Sequence, residues 1–98
     1  MMDKVKLSGF KLDEVEMSII NKVIDKYVKR LSERMRFEEL SLRLKERKHG
    51  KTYLHEVKGS LRVGKYLFNS ELTDYNLIRV LSKVIDKLIR EAEHNLQK

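Results

Sequence analysis

Cysteine and proline are both missing from this chain. Without thiols there are no disulfides, no thiolate chemistry and no zinc site built on Cys ligands. With no proline and no Gly/Ser-rich run, nothing marks a linker between folded units. Long apolar stretches are missing too, and no uncharged run approaches the roughly 20 residues of a membrane span. The opening MMDKVK is charged from its third residue and lacks the apolar core of a secretory signal. Acids are outnumbered: 22 Lys and Arg face 15 Asp and Glu, for a net charge of +7. These deficits predict one soluble, cytoplasmic domain spanning residues 1–98, with no membrane partner.

What is present can fold. Hydrophobic residues make up 41% of the 98, too many for a disordered tail, and the 38% charged keep its surface wet. The stretch from 75 to 96 is the most telling. At about 100° per residue, Leu77, Leu81, Val84, Ile85, Leu88 and Ala92 share one side, the mark of a helix half buried on a core. Arg79, Lys83, Lys87, Arg90 and His94 gather opposite, within roughly a quarter of the circumference. Asp86 and Glu93 fall at the edge of that stripe, and Glu91 lies beside the apolar side. A solvated face usually mixes its signs at i,i+4 spacing. This one reads as nearly all positive.

Earlier in the chain, Val5 and Leu7 alternate with Lys4 and Lys6 and read as a short strand that Gly9 ends. Asp13 or a neighbour then caps a helix running to about Arg34, with Glu14 and Glu16 in its first turn. Its predicted buried face is Leu12, Ile19, Ile20, Val23, Ile24, Tyr27 and Leu31. Lys22, Lys26, Lys29 and Arg30 line one flank, interrupted by Glu33. From 37 to 48 the period changes to two, with Leu40, Leu42 and Leu44 between Ser41, Arg43 and Lys45. His49-Gly50-Lys51-Thr52 makes a turn into a second strand over 53–63, and Gly64-Lys65 suits a two-residue hairpin. Folding there sets Val63 against Tyr66, Leu61 against Phe68, Gly59 against Ser70 and Val57 against Leu72. The opposite face pairs Arg62 with Leu67 and Lys58 with Glu71. The earlier turn sets Leu44 against Val57 and Leu40 against Leu61. A one-residue slip would turn every apolar group outward, so the register is well specified. The result is an α+β fold, β-α-β-β-β-α, in two layers: two helices on one face of a four-stranded, mostly antiparallel sheet.

Residues 36–65 carry nine Lys/Arg against four Asp/Glu. Lys4, Lys6, Arg43, Lys45, Lys58 and Arg62 would point to the uncovered sheet face. Positive charge on both layers favours a polyanion over one small acidic ligand. Catalytic patterns are missing: no nucleophile elbow and no Gly-rich strand-to-helix loop occurs. His49, His55 and His94 are scattered, so we expect no metal, no cofactor and no enzyme. Tyr27, Tyr66 and Phe68 are placed in the core. The open sheet face then lacks the aromatic platform that single-strand readers of the RRM type use, so phosphate attraction would outweigh stacking.

The order of elements, their lengths and the run Val84-Ile85-Asp86-Lys87-Leu88-Ile89-Arg90 resemble the ribosome hibernation-promoting factor and ribosome-associated inhibitor family. That family has a similar Ile-Asp-Lys-Leu run with a basic residue two positions on. Where it usually shows a Tyr-Ala-Ala-Ile-Asp-like segment, this chain has Ile78-Arg79-Val80-Leu81-Ser82. Double-stranded-RNA-binding domains share the later α-β-β-β-α order, but their Gly-rich turn and Lys-Lys-x-Ala-Lys helix start are not found. The resemblance implies binding to rRNA of the small ribosomal subunit, in the channel of tRNA and mRNA, and inhibition of translation under poor growth conditions. It also implies that basic residues on the helices meet rRNA phosphates. By position these are Lys22, Lys26, Lys29 and Arg30 on the first helix and Arg79, Lys83, Lys87 and Arg90 on the second. The competing reading is a protein-interaction module that self-associates through an edge strand or through the open sheet face, where Leu54 and Leu67 lie.

Overall fold

Local signals set the start and end of each element in the computed structural model, which describes residues 4 to 96. Strand β1, Val5–Ser8, stops at Gly9, whose φ is +77°. A Cβ on Gly9 would lie 2.1 Å from the carbonyl oxygen of Leu44, so only glycine lets the chain pass there. Helix α1, Glu14–Arg34, opens on Asp13, whose carboxylate accepts the Glu16 N–H at 2.8 Å. Its first turn carries Glu14 and Glu16 and its last Arg34, as the helix dipole favours. It ends at Met35, where the backbone becomes extended and the N–H still reaches the Leu31 carbonyl.

Strands β2 (Glu39–His49), β3 (Thr52–Val63) and β4 (Tyr66–Asp74) follow, then helix α2 (Leu77–Leu96). The sheet order is β1-β2-β3-β4, with β1 parallel to β2 and the other pairs antiparallel. The expected register is found throughout: Leu61 faces Phe68, Gly59 faces Ser70, Val57 faces Leu72 and Leu44. Gly64 takes φ +60° while no non-glycine residue among those described has positive φ, the pattern of a II′ hairpin. Its N–H donates to the Glu38 carboxylate at 2.7 Å, tying the hairpin back to the entry of β2.

One core lies between the layers. Leu40, Leu42, Leu44, Val57 and Leu61 rise from the sheet to meet Ile20, Ile24 and Leu31 of α1 and Val84, Ile85 and Leu88 of α2. Helix α2 lies over β3 and β4, with a close approach at Gly59. A Cβ on Gly59 would stand 2.7 Å from Cγ1 of Val84 and 3.0 Å from Cδ1 of Leu88, so the helix rests in a recess that a bare backbone leaves. Across the ladder stands the small side chain of Ser70, itself buried. The two helices run parallel, since Arg30 meets Asp86 and, further along both, Arg34 meets Glu93. Neither is long and apolar enough to cross a membrane.

Four expectations need correction. Helix α2 starts at Leu77, because Asn76 caps it: the Asn76 side chain accepts the Arg79 N–H and its carbonyl the Val80 N–H, each at 3.0 Å, leaving Tyr75 outside. Its buried arc is wider than the predicted face and includes Val80 and Ile89, because α2 touches α1 as well as the sheet. Ile19 of α1 is 46% exposed, since it lies in an open cleft near the first turn of α2. Tyr66 is 42% exposed rather than in the core; at the sheet margin beside the Gly64 turn, it stacks on Phe68 at 6.2 Å.

Leu61→Ala is expected to cost about 2–5 kcal/mol in urea unfolding, the range for a fully buried large-to-small change. Gly59→Ala tests the seat of α2 with the opposite sign of size change. Alanine in a strand normally gains about 0.5–1 kcal/mol over glycine, but here overpacking against Val84 and Leu88 should cost about 1–3 kcal/mol. A Gly59→Ala protein more stable than its parent would show that α2 does not sit on β3.

Candidate nucleic-acid interface

Parallel packing puts both predicted basic stripes on the helical layer, away from the sheet. Lys22, Lys26, Lys29 and Arg30 of α1 and Arg79, Lys83, Lys87 and Arg90 of α2 are all exposed. Helical geometry sets Lys22, Lys26 and Lys29 opposite the buried Ile20, Ile24 and Leu31.

The stripes are less free than the sequence pattern suggests. Asp86 pairs with Arg90 one turn on and stands 3.7 Å from Arg30 of the neighbouring helix. It therefore joins the two helices and partly neutralises an arginine of each. Arg34 closes the same seam further along, with its Nη1 2.8 and 2.9 Å from the Glu93 carboxylate oxygens. Arg79 approaches Asp74 at 3.9 Å. The Asp74 carboxyl is held below its ordinary pKa of 3.8, chiefly by the Asn76 N–H; desolvation opposes this, and Arg79, Lys83 and the Tyr75 N–H add smaller lowering effects. With the folded value depressed, that contribution is present above pH ~4 and is lost as pH falls through the folded value.

Ion pairing thus separates the cations into two groups. Arg30, Arg79 and Arg90 have carboxylates beside them. Among the described residues, Lys22, Lys26, Lys29, Lys83 and Lys87 make no ion pair. These lysines are the charges left for an outside anion.

The open sheet face is basic as well, and more diluted. Ladder geometry puts Lys6, Arg43, Lys45, Lys58 and Arg62 on it, around a row of small polar residues: Ser41, Ser60 and Asn69. Glu71 is 3.9 Å from Lys58 and Glu56 is 3.9 Å from Arg47. Lys4 lies over the ring of Phe37, its Nζ 5.1 Å from the centroid.

The histidines do not converge. His55 is 3.5 Å from Glu46 and His49 is 3.3 Å from the Tyr75 hydroxyl. Among the described residues, no three His, Asp or Glu side chains come together as a metal site would need. The cleft between the helix starts, about 620 Å³, is lined mainly by Ile19, Ile20, Tyr75, Leu77 and Ile78, with Glu16, Asp74 and Arg79 at its polar edge.

No family model and no curated protein matches the sequence. Solved structures do match the fold. The N-terminal domain of Protein Y from Thermus thermophilus superposes with a TM-score of 0.59 at 22% identity, over 91% of this chain and 93% of that one. A ribosomal subunit interface protein from Coxiella burnetii superposes with a TM-score of 0.61 at 10% identity, over 96% and 98%. This chain has their fold. Identities this low carry architecture and not side-chain roles, so the candidate interface rests on the lysines themselves.

Sequence periodicity located every one of these cations but not their partners. The Arg30–Asp86 and Arg34–Glu93 contacts join residues far apart in the chain. The Asp86–Arg90 pair is at i,i+4 and was open to view in the sequence. Exposed Tyr53 and Tyr75 were also missed as surface groups.

Asp86→Asn should release Arg30 and Arg90 and add one net positive charge. On a heparin column the variant is expected to elute at higher salt than its parent, and Lys83→Gln with Lys87→Gln at lower salt. Earlier elution of Asp86→Asn would show that Asp86 organises the cationic surface instead of damping it.

Proposed function

We propose that this protein is a non-enzymatic RNA-binding factor that docks on the small ribosomal subunit and inhibits translation there, which puts it in the cytoplasm. The observation that carries this is a face of exposed lysines, on two parallel helices, that make no ion pair among the described residues: Lys22, Lys26 and Lys29 beside Lys83 and Lys87. Support comes from the fold shared with a ribosomal subunit interface protein and from the sequence resemblance to hibernation factors.

The physics of such a contact is simple. Lysines one turn apart lie about 5–6 Å from each other along a helix, close enough for several to meet phosphates of one RNA strand together. Each ammonium that replaces a condensed counterion contributes about 0.7–0.9 to the slope of log K against log salt. None of this requires a reacting group, and phosphate contacts position without reading bases. A protein held so in the subunit's channel would inhibit by occupancy alone. The open sheet contributes less, because Glu56 and Glu71 share its plane with Arg47 and Lys58.

Sedimentation of the purified protein with small ribosomal subunits at several salt concentrations tests this reading. Lys83→Gln with Lys87→Gln is expected to weaken binding and lower the slope by about 1.4–1.8, at about 0.7–0.9 per lysine. Arg43→Gln with Arg62→Gln should change it less. If the sheet variant loses more than the helix variant, with both folded by circular dichroism, the helices are not the contact. A salt-resistant dimer that hides Leu67, 51% exposed on the open face, would favour self-association instead.

A further inference from the structure

Strands β2 and β3 outrun the rest of the sheet. Strand β1 pairs with β2 only as far as Ser8 opposite Arg43, and β4 pairs with β3 only as far as Asp74 opposite His55. The rows Arg47–Leu54, Lys48–Tyr53 and His49–Thr52 have no third strand beside them. At about 3.4 Å per residue, a two-stranded ribbon extends roughly 10 Å beyond its neighbours.

The ribbon is braced. Gly50 takes φ +68° at its tip, and the Thr52 hydroxyl donates to the His49 carbonyl at 3.0 Å. His49, in the outermost row, also meets the ring of Tyr75, the residue that follows β4, edge to face with centroids 6.2 Å apart. An isolated two-stranded hairpin is marginally stable at best, so these contacts matter.

Its composition is unlike the rest of the sheet. From 45 to 53 it carries Lys45, Arg47, Lys48 and Lys51 against Glu46 alone among acids. Arg47 has Glu56 at 3.9 Å, while Lys48 and Lys51 make no ion pair among the described residues. Directly across the ladder from Lys48 stands Tyr53, 52% exposed. Its ring stacks on no other aromatic among the described residues. A large ring left half bare beside ammonium groups that make no ion pair among the described residues, on a projecting ribbon, suits a nucleotide with its base unstacked. The ring offers a π-face to the base and the lysines reach the flanking phosphates.

We propose that the β2–β3 ribbon is a second RNA contact, separate from the helical lysines, which grips unpaired nucleotides by stacking a base on Tyr53 and holding phosphates with Lys48 and Lys51. This rests on the RNA-binding reading above. It adds a preference: bases inside a duplex cannot reach Tyr53, so the ribbon selects single-stranded segments or loops.

The test uses a fluorescent ten-nucleotide oligouridylate, inorganic polyphosphate as a base-free polyanion, and small ribosomal subunits, with all variants checked for fold by circular dichroism. Tyr53→Leu is expected to weaken oligouridylate binding about five-fold or more, as loss of one stacked base would. It should leave the salt slope and polyphosphate binding unchanged, and Tyr53→Phe should bind like the parent. Lys48→Gln with Lys51→Gln should lower the slope by about 1.4, at about 0.7 per single-strand phosphate contact. If the parent binds oligouridylate or subunits while the Tyr53→Leu and lysine variants bind them equally well, the ribbon is not a contact and the helical reading stands. If the parent binds no RNA even at low salt, the RNA-binding reading falls and this inference with it. If the ribbon variants keep RNA binding but lose binding to polyglutamate, the ribbon is a dock for acidic protein and the proposal is overturned.

Discussion

Close approach of α2 to the backbone of β3 at Gly59 is the constraint from which the remaining geometry follows. Van der Waals contact between Val84, Leu88 and a bare strand lets the helix sit low on the sheet. The low seat buries Val80, Leu81, Ile85 and Ile89 on either side of the contact line and brings α1 alongside. Helix rotation about its own axis is thereby set, because raising any of those side chains would open a void, and a void loses dispersion contacts on every lining atom. Once the rotation is set, Lys83 and Lys87 have nowhere to point but outward. Packing that is wholly apolar therefore decides where the charge goes.

Electrostatics acts on that framework in a secondary way. Arg30–Asp86–Arg90 and Arg34–Glu93 line the seam between parallel helices whose dipoles also lie parallel. Exposed pairs of this sort contribute roughly 0–1 kcal/mol each, small beside the core. Their larger consequence is for the surface field. They partly offset the charge of these arginines and leave more prominent the lysines, which are compact, strongly hydrated point charges rather than planar bidentate forks. A surface made of such charges suits phosphate attraction along a strand better than recognition of one carboxylate or one base.

The sheet and the helical layer carry charge under different geometries. On the open face, cross-strand neighbours bring Lys58 to Glu71 and Arg47 to Glu56, so much of the local field cancels. At the ribbon's end the ladder runs out of partners and Lys48 and Lys51 stand without such neighbours. Tyr53, on the same side of β3 as Val57, is exposed on this stretch. Charge and aromatic surface thus coincide where the sheet is narrowest.

Much of this architecture was legible in the residues because it rests on local rules. Alternation of Leu40, Leu42 and Leu44 with polar neighbours dictates which face is buried, and the Gly64 hairpin then sets the register of β3 on β4 without further information. Asp13 marks the start of α1 through a contact three residues long. The cations of both helices follow from the 3.6 period in the same way. Tertiary structure alone decided that Arg30 and Arg34 meet carboxylates of α2, that Val80 and Ile89 are buried, and that Ile19, Tyr53 and Tyr66 are not. Each of these depends on what lies across a gap from a residue distant in the chain, or on where a neighbouring strand stops. Periodicity gives the direction in which a side chain leaves its own helix or strand. It carries no information on whether another element will be there to meet it.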